Sequence, residues 1–157
     1  MGEFGNALAI IGAALGAALA GAGSSLGVSA VQQASCGVIT EQPEKYSKTL
    51  VLQLIPASQA LYGFVVGFLV LTKIVLATAS YTLVNGGMVM GACFAIGIAG
   101  FFSGLSQGRV CAAAVVMIGR REELSGRALP MAVVTELFAL FGFIISILCV
   151  LRIPTGV

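Results

Sequence analysis

The stretch that decides the fold is AVVTELFALFGFIISIL, residues 132–148, in which Glu136 is the only charged side chain. The run is otherwise apolar or small, apart from one threonine and one serine. The whole chain has the same character, with 59% hydrophobic residues, 9% charged residues and a mean hydropathy of +1.07. A soluble domain of 157 residues could not bury that much apolar surface. The composition therefore predicts a protein that lies in lipid.

Four stretches are long enough to cross a membrane as helices, which takes about 20 apolar residues: residues 5–37, 49–78, 84–118 and 128–151. A spanning chain must be helical or a closed barrel, because lipid offers backbone groups no partners, and no alternating strand pattern is present. We therefore predict an all-α membrane protein with four transmembrane helices. The first and third, about 45 Å long, should project beyond the membrane at one end. The first lacks a basic leading region and is too long for a signal peptide, so we expect it to be retained.

The basic residues favour one orientation in the membrane. Five of them lie in the two loops that join the stretches of each pair, at residues 38–48 and 119–127: Lys45, Lys48, Arg120, Arg121 and Arg127. The opposite side has Lys73 and Arg152, near the ends of the second and fourth stretches. Because basic residues are enriched in cytoplasmic loops, we expect both loops to face the cytoplasm. Both termini and the turn at 79–84 should then lie outside.

The sequence repeats itself at one constant shift, without a gap. The matched positions include Gly12 with Gly91, Ala20-Gly21 with Ala99-Gly100, Ser24 with Ser103, Glu44 with Glu123, and Gly63-Phe64 with Gly142-Phe143. Each unit holds two spans, so both units have the same orientation, unlike the inverted repeats of many secondary transporters. We predict two tandem, parallel-duplicated hairpins, residues 1–78 and 79–157.

Only one of the two hairpins contains an acid inside the membrane, because Glu136 corresponds to Ala57 in the repeat. The other acids lie at the N-terminus or in the hairpin loops. A charged side chain near the centre of a spanning helix costs about 3 kcal/mol on insertion scales. Such a residue is a functional candidate, and the alternative is a protonated glutamate that only joins two helices by a hydrogen bond.

Several polar side chains are available to work with Glu136. Three share one face of the second span at i, i+1, i+4 spacing: Ser58, Gln59 and Tyr62. The third span adds Gln107. Singly, such groups are common interhelical hydrogen-bonding residues, but together with Glu136 they form an anionic set rich in oxygen, which suits a hard cation. Pro56 removes one helical N–H, so carbonyls in the preceding turn, as far as Ile55, can point elsewhere.

Small residues are concentrated in the first and third spans. Their small-xxx-small spacings, which let backbones approach closely, are Gly12xxxGly16, Gly23xxxGly27 and Gly100xxxGly104xxxGly108. The second and fourth spans have the bulky side chains instead, including Leu61, Phe64, Phe68, Phe138 and Phe141. This division predicts two concentric layers around an axis, with the thin helices inside. The alternative is that glycine is simply frequent in membrane helices.

These features together resemble a known family, the proteolipid (K or c) subunits of V-type rotary ATPases, and most closely their bacterial sodium-pumping branch. The resemblance lies in the duplicated hairpin, in LIPASQALYGF (54–64), in FFSGLSQGRV (101–110) and in the acid of TELFALFGF (135–143). It implies a homo-oligomeric rotor ring with the first and third helices inside and the second and fourth outside.

The resemblance also implies a binding site for the transported ion, Na⁺, with no other cofactor. Carried over by motif, its carboxylate is Glu136 and its other groups are the side chains of Ser58, Gln59 and Gln107, the backbone carbonyl of Ile55, and the hydroxyl of Tyr62, which locks the occupied carboxylate. Two positions depart from the family pattern, because Ser58 stands where threonine is more frequent and Ala57 where glycine often occurs. Both departures keep the needed chemistry, although Ser58 could shift the ion affinity.

The implied partners are identical subunits, a stator membrane subunit with an essential arginine, a central-stalk subunit and membrane lipid, with no nucleic acid. The chain contains no P-loop motif GxxxxGK[ST], so ATP hydrolysis is expected on other subunits. The implied location is the bacterial plasma membrane. Three alternatives stay open: the same rotor carrying H⁺, a small four-helix cation or drug antiporter, and a tetraspan interaction protein that transports nothing.

Two further features make smaller predictions. The four cysteines have no CxxC spacing and are expected to be buried free thiols: Cys36, Cys93, Cys111 and Cys149. Arg109 is a cation inside the third span. We expect it to face the lumen of the ring or to extend its side chain toward the membrane surface.

Overall fold

The computed structural model describes residues 2–75 and 80–156, which are almost entirely helical. The helices are α1 (Gly2–Glu41), α2 (Tyr46–Leu54), α3 (Ser58–Val75), α4 (Leu83–Arg120) and α5 (Ser125–Arg152), with 3₁₀ turns at Pro43–Lys45, Ile55–Ala57 and Glu122–Leu124. Four segments of this described part are long and apolar enough to cross a membrane: Glu3–Glu41, Pro43–Ile74, Leu83–Arg120 and Glu122–Arg152. The predicted all-α fold with four spans is therefore confirmed.

The helices extend further than the apolar stretches predicted from hydropathy. At 40 and 38 residues, α1 and α4 are each about 60 Å long, and each ends beyond its predicted stretch. The connections are correspondingly shorter than the predicted loops 38–48 and 119–127, because helical hydrogen bonding continues through polar residues. The N–H of Gln42 still donates to the Val38 carbonyl (2.9 Å), and the N–H of Arg121 to that of Met117 (2.8 Å).

The predicted boundary between residues 78 and 79 lies outside the described residues, as do the last residues of the predicted second span, 49–78.

The second span is interrupted at Pro56, as its sequence predicts. The chain leaves α2 at Leu54, makes one 3₁₀ turn over Ile55–Ala57 and resumes as α3 at Ser58. Proline has no N–H and crowds the preceding turn, which explains the break. A neighbouring helix supplies a hydrogen bond at this point, because the N–H of Ala60 donates to the Ser24 hydroxyl of α1 (2.9 Å).

The closest helix contact joins α1 to α4 along their glycines. A methyl group added at these positions would collide with the facing backbone, in the pairs Gly16 with Gly97, Gly23 with Gly104, and Gly27 with Gly108. All three pairs have the same separation along the chain, so the two helices run in the same direction with a constant register. The predicted contact between the two thin helices is confirmed within the chain.

The outer helices pack in the same way in both hairpins. Gly63 of α3 contacts Ala20 of α1, and the equivalent residues of the second repeat, Gly142 of α5 and Ala99 of α4, make the same contact. Large apolar side chains cover the open sides of these outer helices, with exposed fractions of 54–64%: Leu61, Phe64, Phe68, Phe138 and Phe141. These faces would contact lipid.

Hydrogen bonds tie the helix ends together at both sides of the bundle. At one side Ser80 and Gly156 form a backbone pair, and the N–H of Tyr81 donates to the Asn6 side chain (2.8 Å). The start of α1 and the end of α5 therefore lie together. At the other side the buried Lys45 ammonium donates to the carbonyls of Ile118 and Gly119, each at 3.0 Å.

The expectation of four buried thiols is wrong for two cysteines. Cys93 and Cys111 are buried, but Cys36 and Cys149 are exposed, because they lie on helix faces that no other helix of the chain covers. All four are free thiols. Arg109 is also exposed, on a side of α4 that faces neither α1 nor α5.

Candidate functional site

Glu136 lies where the two hairpins meet, half-buried on α5. Its two carboxylate oxygens accept hydrogen bonds from different helices. The Tyr62 hydroxyl of α3 donates to Oε1 at 2.5 Å, and Nε2 of Gln107 on α4 makes a longer contact of 3.5 Å with Oε2. The structure therefore brings three of the predicted site residues together on one acid.

The break in the second span helps to position Tyr62, which lies in the second turn of the new helix α3. The ring of Tyr62 stacks on Phe143 of α5, with centroids 4.9 Å apart. Such aromatic contacts favour one ring orientation. The hydroxyl is thus held against the carboxylate on the neighbouring helix by packing as well as by its hydrogen bond.

Two fully buried amides form a relay behind the acid. Nε2 of Gln59 donates to Oε1 of Gln107 at 2.7 Å, and Nε2 of Gln107 donates to the Ala132 carbonyl at 3.0 Å. Oε1 of Gln59 is buried without a hydrogen-bond partner among the described residues. An unpaired buried acceptor costs about 1–3 kcal/mol, so this oxygen is a place where a bound cation would be stabilised.

Two predicted site residues bond to each other rather than to Glu136. The Ser58 hydroxyl donates to the Ile55 carbonyl at 3.0 Å. The tight 3₁₀ turn explains this pair, because it places a side chain beside the carbonyl three residues earlier. Within residues 2–75 and 80–156, no hydrogen bond joins either group to the acid. Their predicted role as ion ligands remains a prediction.

Two residues that the sequence analysis did not include support the site. The Ser103 hydroxyl accepts a weak bond from Nε2 of Gln59 (3.4 Å) and donates to the Thr135 carbonyl (2.7 Å). The Thr135 hydroxyl in turn donates to the Ala132 carbonyl (2.7 Å). One signal was present in the sequence, since Ser103 is matched by Ser24 in the repeat and each serine bonds the backbone of an outer helix.

The repeat contains no second copy of this site. At the equivalent positions of the other hairpin, each polar group is replaced by an apolar one: Ala57 for Glu136, Val28 for Gln107, Phe138 for Gln59 and Phe141 for Tyr62. The chain therefore has one intramembrane carboxylate, at the boundary of its two hairpins. A single acid with hydroxyl and amide neighbours can hold one proton or one small cation at a time.

Comparison with known proteins agrees with the duplication. The family model for the C subunit of ATP synthase matches the chain twice, at residues 11–70 and 90–149. The shift from the first match to the second equals the shift of the internal repeat, which takes Gly12 to Gly91.

Three relatives span most of this chain. The V-type sodium ATPase subunit K of Enterococcus hirae is 35% identical over 94% of this chain and 93% of its own length. The A-type ATP synthase subunit K of Methanocaldococcus jannaschii is 35% identical over 92% of this chain, which covers 64% of that protein. The 16 kDa proteolipid subunit of the V-type proton ATPase of Nephrops norvegicus is 31% identical over 93% of this chain and 87% of its length.

Proposed function

The chain belongs to the family of ATP synthase C subunits, and from that premise we propose that it is a rotor-ring subunit of a V-type ATPase that carries Na⁺ by reversible binding at Glu136. With four membrane-capable helices it is a multi-pass membrane protein. Membership of this family replaces the antiporter and the tetraspan interaction protein as alternatives. The proposed orientation has the hairpin loops 38–48 and 119–127 in the cytoplasm of a bacterial cell and both termini outside.

One observation supports the proposal most directly: the only intramembrane acid of the described chain has polar groups from two other helices directed at it. The unpaired Oε1 of Gln59 is a further buried oxygen nearby, joined to the acid through Gln107. Hard cations such as Na⁺ prefer oxygen ligands. A rotation of the Gln59 and Gln107 amides would present their oxygens to an ion bound at the carboxylate.

The proposed mechanism follows from the charge of Glu136. A bound cation neutralises the carboxylate, so the occupied site can face lipid as the ring turns. The Tyr62 hydroxyl holds the carboxylate toward the bundle in this state. An arginine of the stator subunit would displace the ion into one half-channel while another ion enters through a second. Moving one charge against 100 mV costs about 2.3 kcal/mol, supplied by ATP hydrolysis on other subunits and transmitted by a central stalk.

The test is carbodiimide labelling of the purified oligomer across a NaCl titration at fixed pH and ionic strength. N,N′-dicyclohexylcarbodiimide enters lipid and reacts with protonated carboxyls, so it should modify Glu136 and spare the loop acids. Sodium bound at the site should slow this labelling progressively, whereas KCl should not. The variant Glu136→Gln is the control for specificity and should remain unlabelled. Labelling that ignores sodium in an oligomer that still supports transport would refute sodium carriage.

A second candidate ion, H⁺, is favoured by a different observation. Both groups that reach Glu136 present a hydrogen-bond donor to it, from Tyr62 and from the amide nitrogen of Gln107. A proton carrier needs one carboxyl group and no further oxygen ligands. Sodium-independent labelling together with transport that dissipates a pH gradient would favour this ion.

A further inference from the structure

The packing of one chain leaves two faces of the thin helices open. On α4 the open face contains Phe102, Ser106, Arg109 and Ala113, all exposed. We propose that this face docks on the open face of α1 in a second copy, where Arg109 hydrogen-bonds to a polar ridge formed by Ser29, Gln32 and Gln33. The inference rests on the proposed ring and names a contact within it.

The contact inside the chain supplies the template for the contact between copies. Within one chain Gly27 of α1 faces Gly108 of α4. A ring of duplicated hairpins repeats this contact with the roles exchanged, so that α4 takes the place of α1 and the next copy's α1 takes the place of α4. The repeat then puts Ser106 where Gly27 was and Ser29 of the next copy where Gly108 was.

Other contacts transform in the same way and lead to exposed residues. The pair Gly23 and Gly104 becomes Phe102 facing Ser25 of the next copy. Ala34 and Val115, which pack in one apolar cluster inside the chain, become Cys36 and Ala113. Each of these four replacement residues is exposed in the single chain. The faces that the repeat requires are thus the faces left open.

The same register gives Arg109 a partner. It lies between Ser106 and Ala113, and therefore opposite the segment between Ser29 and Cys36 of the next copy. That segment presents exposed amides, and Nε2 of Gln33 donates to the Ser29 hydroxyl at 3.2 Å, which leaves the amide oxygen of Gln33 as an acceptor. Charged residues inside membrane spans usually pair with polar groups of the bundle. Arg109 lies three turns before the end of α4, and amide oxygens on a neighbour satisfy it there.

The side chains also imply that the two kinds of contact differ in width. Inside the chain, glycine faces glycine, but between copies Phe102 and Ser106 stand where Gly23 and Gly27 were. The larger side chains hold the backbones further apart. The inner layer of the ring should therefore alternate between close and wider helix pairs.

Disulfide formation tests the register with one substitution. In the Ala113→Cys chain, oxidation with copper phenanthroline should link the introduced thiol to the native Cys36 of the next copy. The product should be a ladder of covalent oligomers on denaturing gels. The two positions cannot meet inside one chain, because Ala113 lies on the side of α4 away from its own α1. Adding Cys36→Ser should abolish the ladder. Ser106→Cys, two turns or about 10 Å away, should not link to Cys36.

The outcomes separate this contact from the proposed function. An intact ring in which Ala113→Cys forms no ladder, or in which Ser106→Cys links to Cys36 equally well, overturns the contact and leaves the ring standing. A chain that purifies without forming any large oligomer overturns both.

A charge exchange tests the role of Arg109. Gln33→Arg places two cations together and should lower the fraction of intact rings at a fixed temperature by about tenfold. The double variant Gln33→Arg with Arg109→Glu should restore it, because opposite charges now meet. If Gln33→Arg rings are as stable as the parent, or the double variant gives no rescue, Arg109 faces the lumen instead and its proposed partner is wrong.

Discussion

Removing the Tyr62 hydroxyl should weaken ion binding without disturbing the helices. The bond from this hydroxyl to Glu136 measures 2.5 Å, within the range of hydrogen bonds to ionised carboxylates. Such bonds contribute about 1.5–3 kcal/mol, and lipid has no water to replace a lost donor. At about 1.4 kcal/mol per factor of ten, Tyr62→Phe should raise the dissociation constant for Na⁺ by about 10- to 100-fold. The ring stacking on Phe143 is kept in this variant.

The assay is the NaCl concentration that halves the rate of carbodiimide labelling at Glu136. Tyr81→Phe is the matched control, because the Tyr81 hydroxyl is also buried but has no hydrogen-bond partner in the described chain. Its removal should leave the midpoint unchanged. The reasoning is refuted if Tyr62→Phe keeps the parent midpoint, or if both variants shift it equally.

Three further predictions concern the acid, the helix contact and a buried cation. Glu136→Gln should abolish ATP-driven sodium transport by vesicles containing the whole ATPase while the oligomer stays intact, and sustained transport would exclude Glu136 as the carrier. Gly108→Ala should lower the melting temperature, because its methyl group meets the backbone of Gly27, whereas Gly37→Ala meets nothing and should be neutral or slightly stabilising; equal melting temperatures would contradict the close packing. Lys45→Met should lower the free energy of unfolding by about 1–3 kcal/mol, because two carbonyls at the end of α4 lose their donor; an unchanged denaturation midpoint would argue against that role.

The sequence alone was sufficient for the number of spans, the duplication and the acid. Hydropathy is read along the chain, and lipid requires each spanning segment to satisfy its own backbone, so four apolar stretches imply four helices. The internal repeat is likewise a property of the sequence alone. Glu136 stood out because an intramembrane charge is costly, and Tyr62 and Gln107 were predicted correctly as its neighbours.

Only the tertiary structure decided how the polar groups divide their hydrogen bonds. Ser58 bonds Ile55 rather than the acid, Gln59 reaches Glu136 only through Gln107, and Ser103 joins the relay. Sequence spacing places side chains on a face but does not choose among acceptors within reach of one hydroxyl or amide. That choice depends on how closely the helices approach, and here the glycine contacts between α1 and α4 set this distance. The helix ends were decided in the same way, because tertiary hydrogen bonds such as those of Lys45 stabilise turns that hydropathy alone assigns to loops.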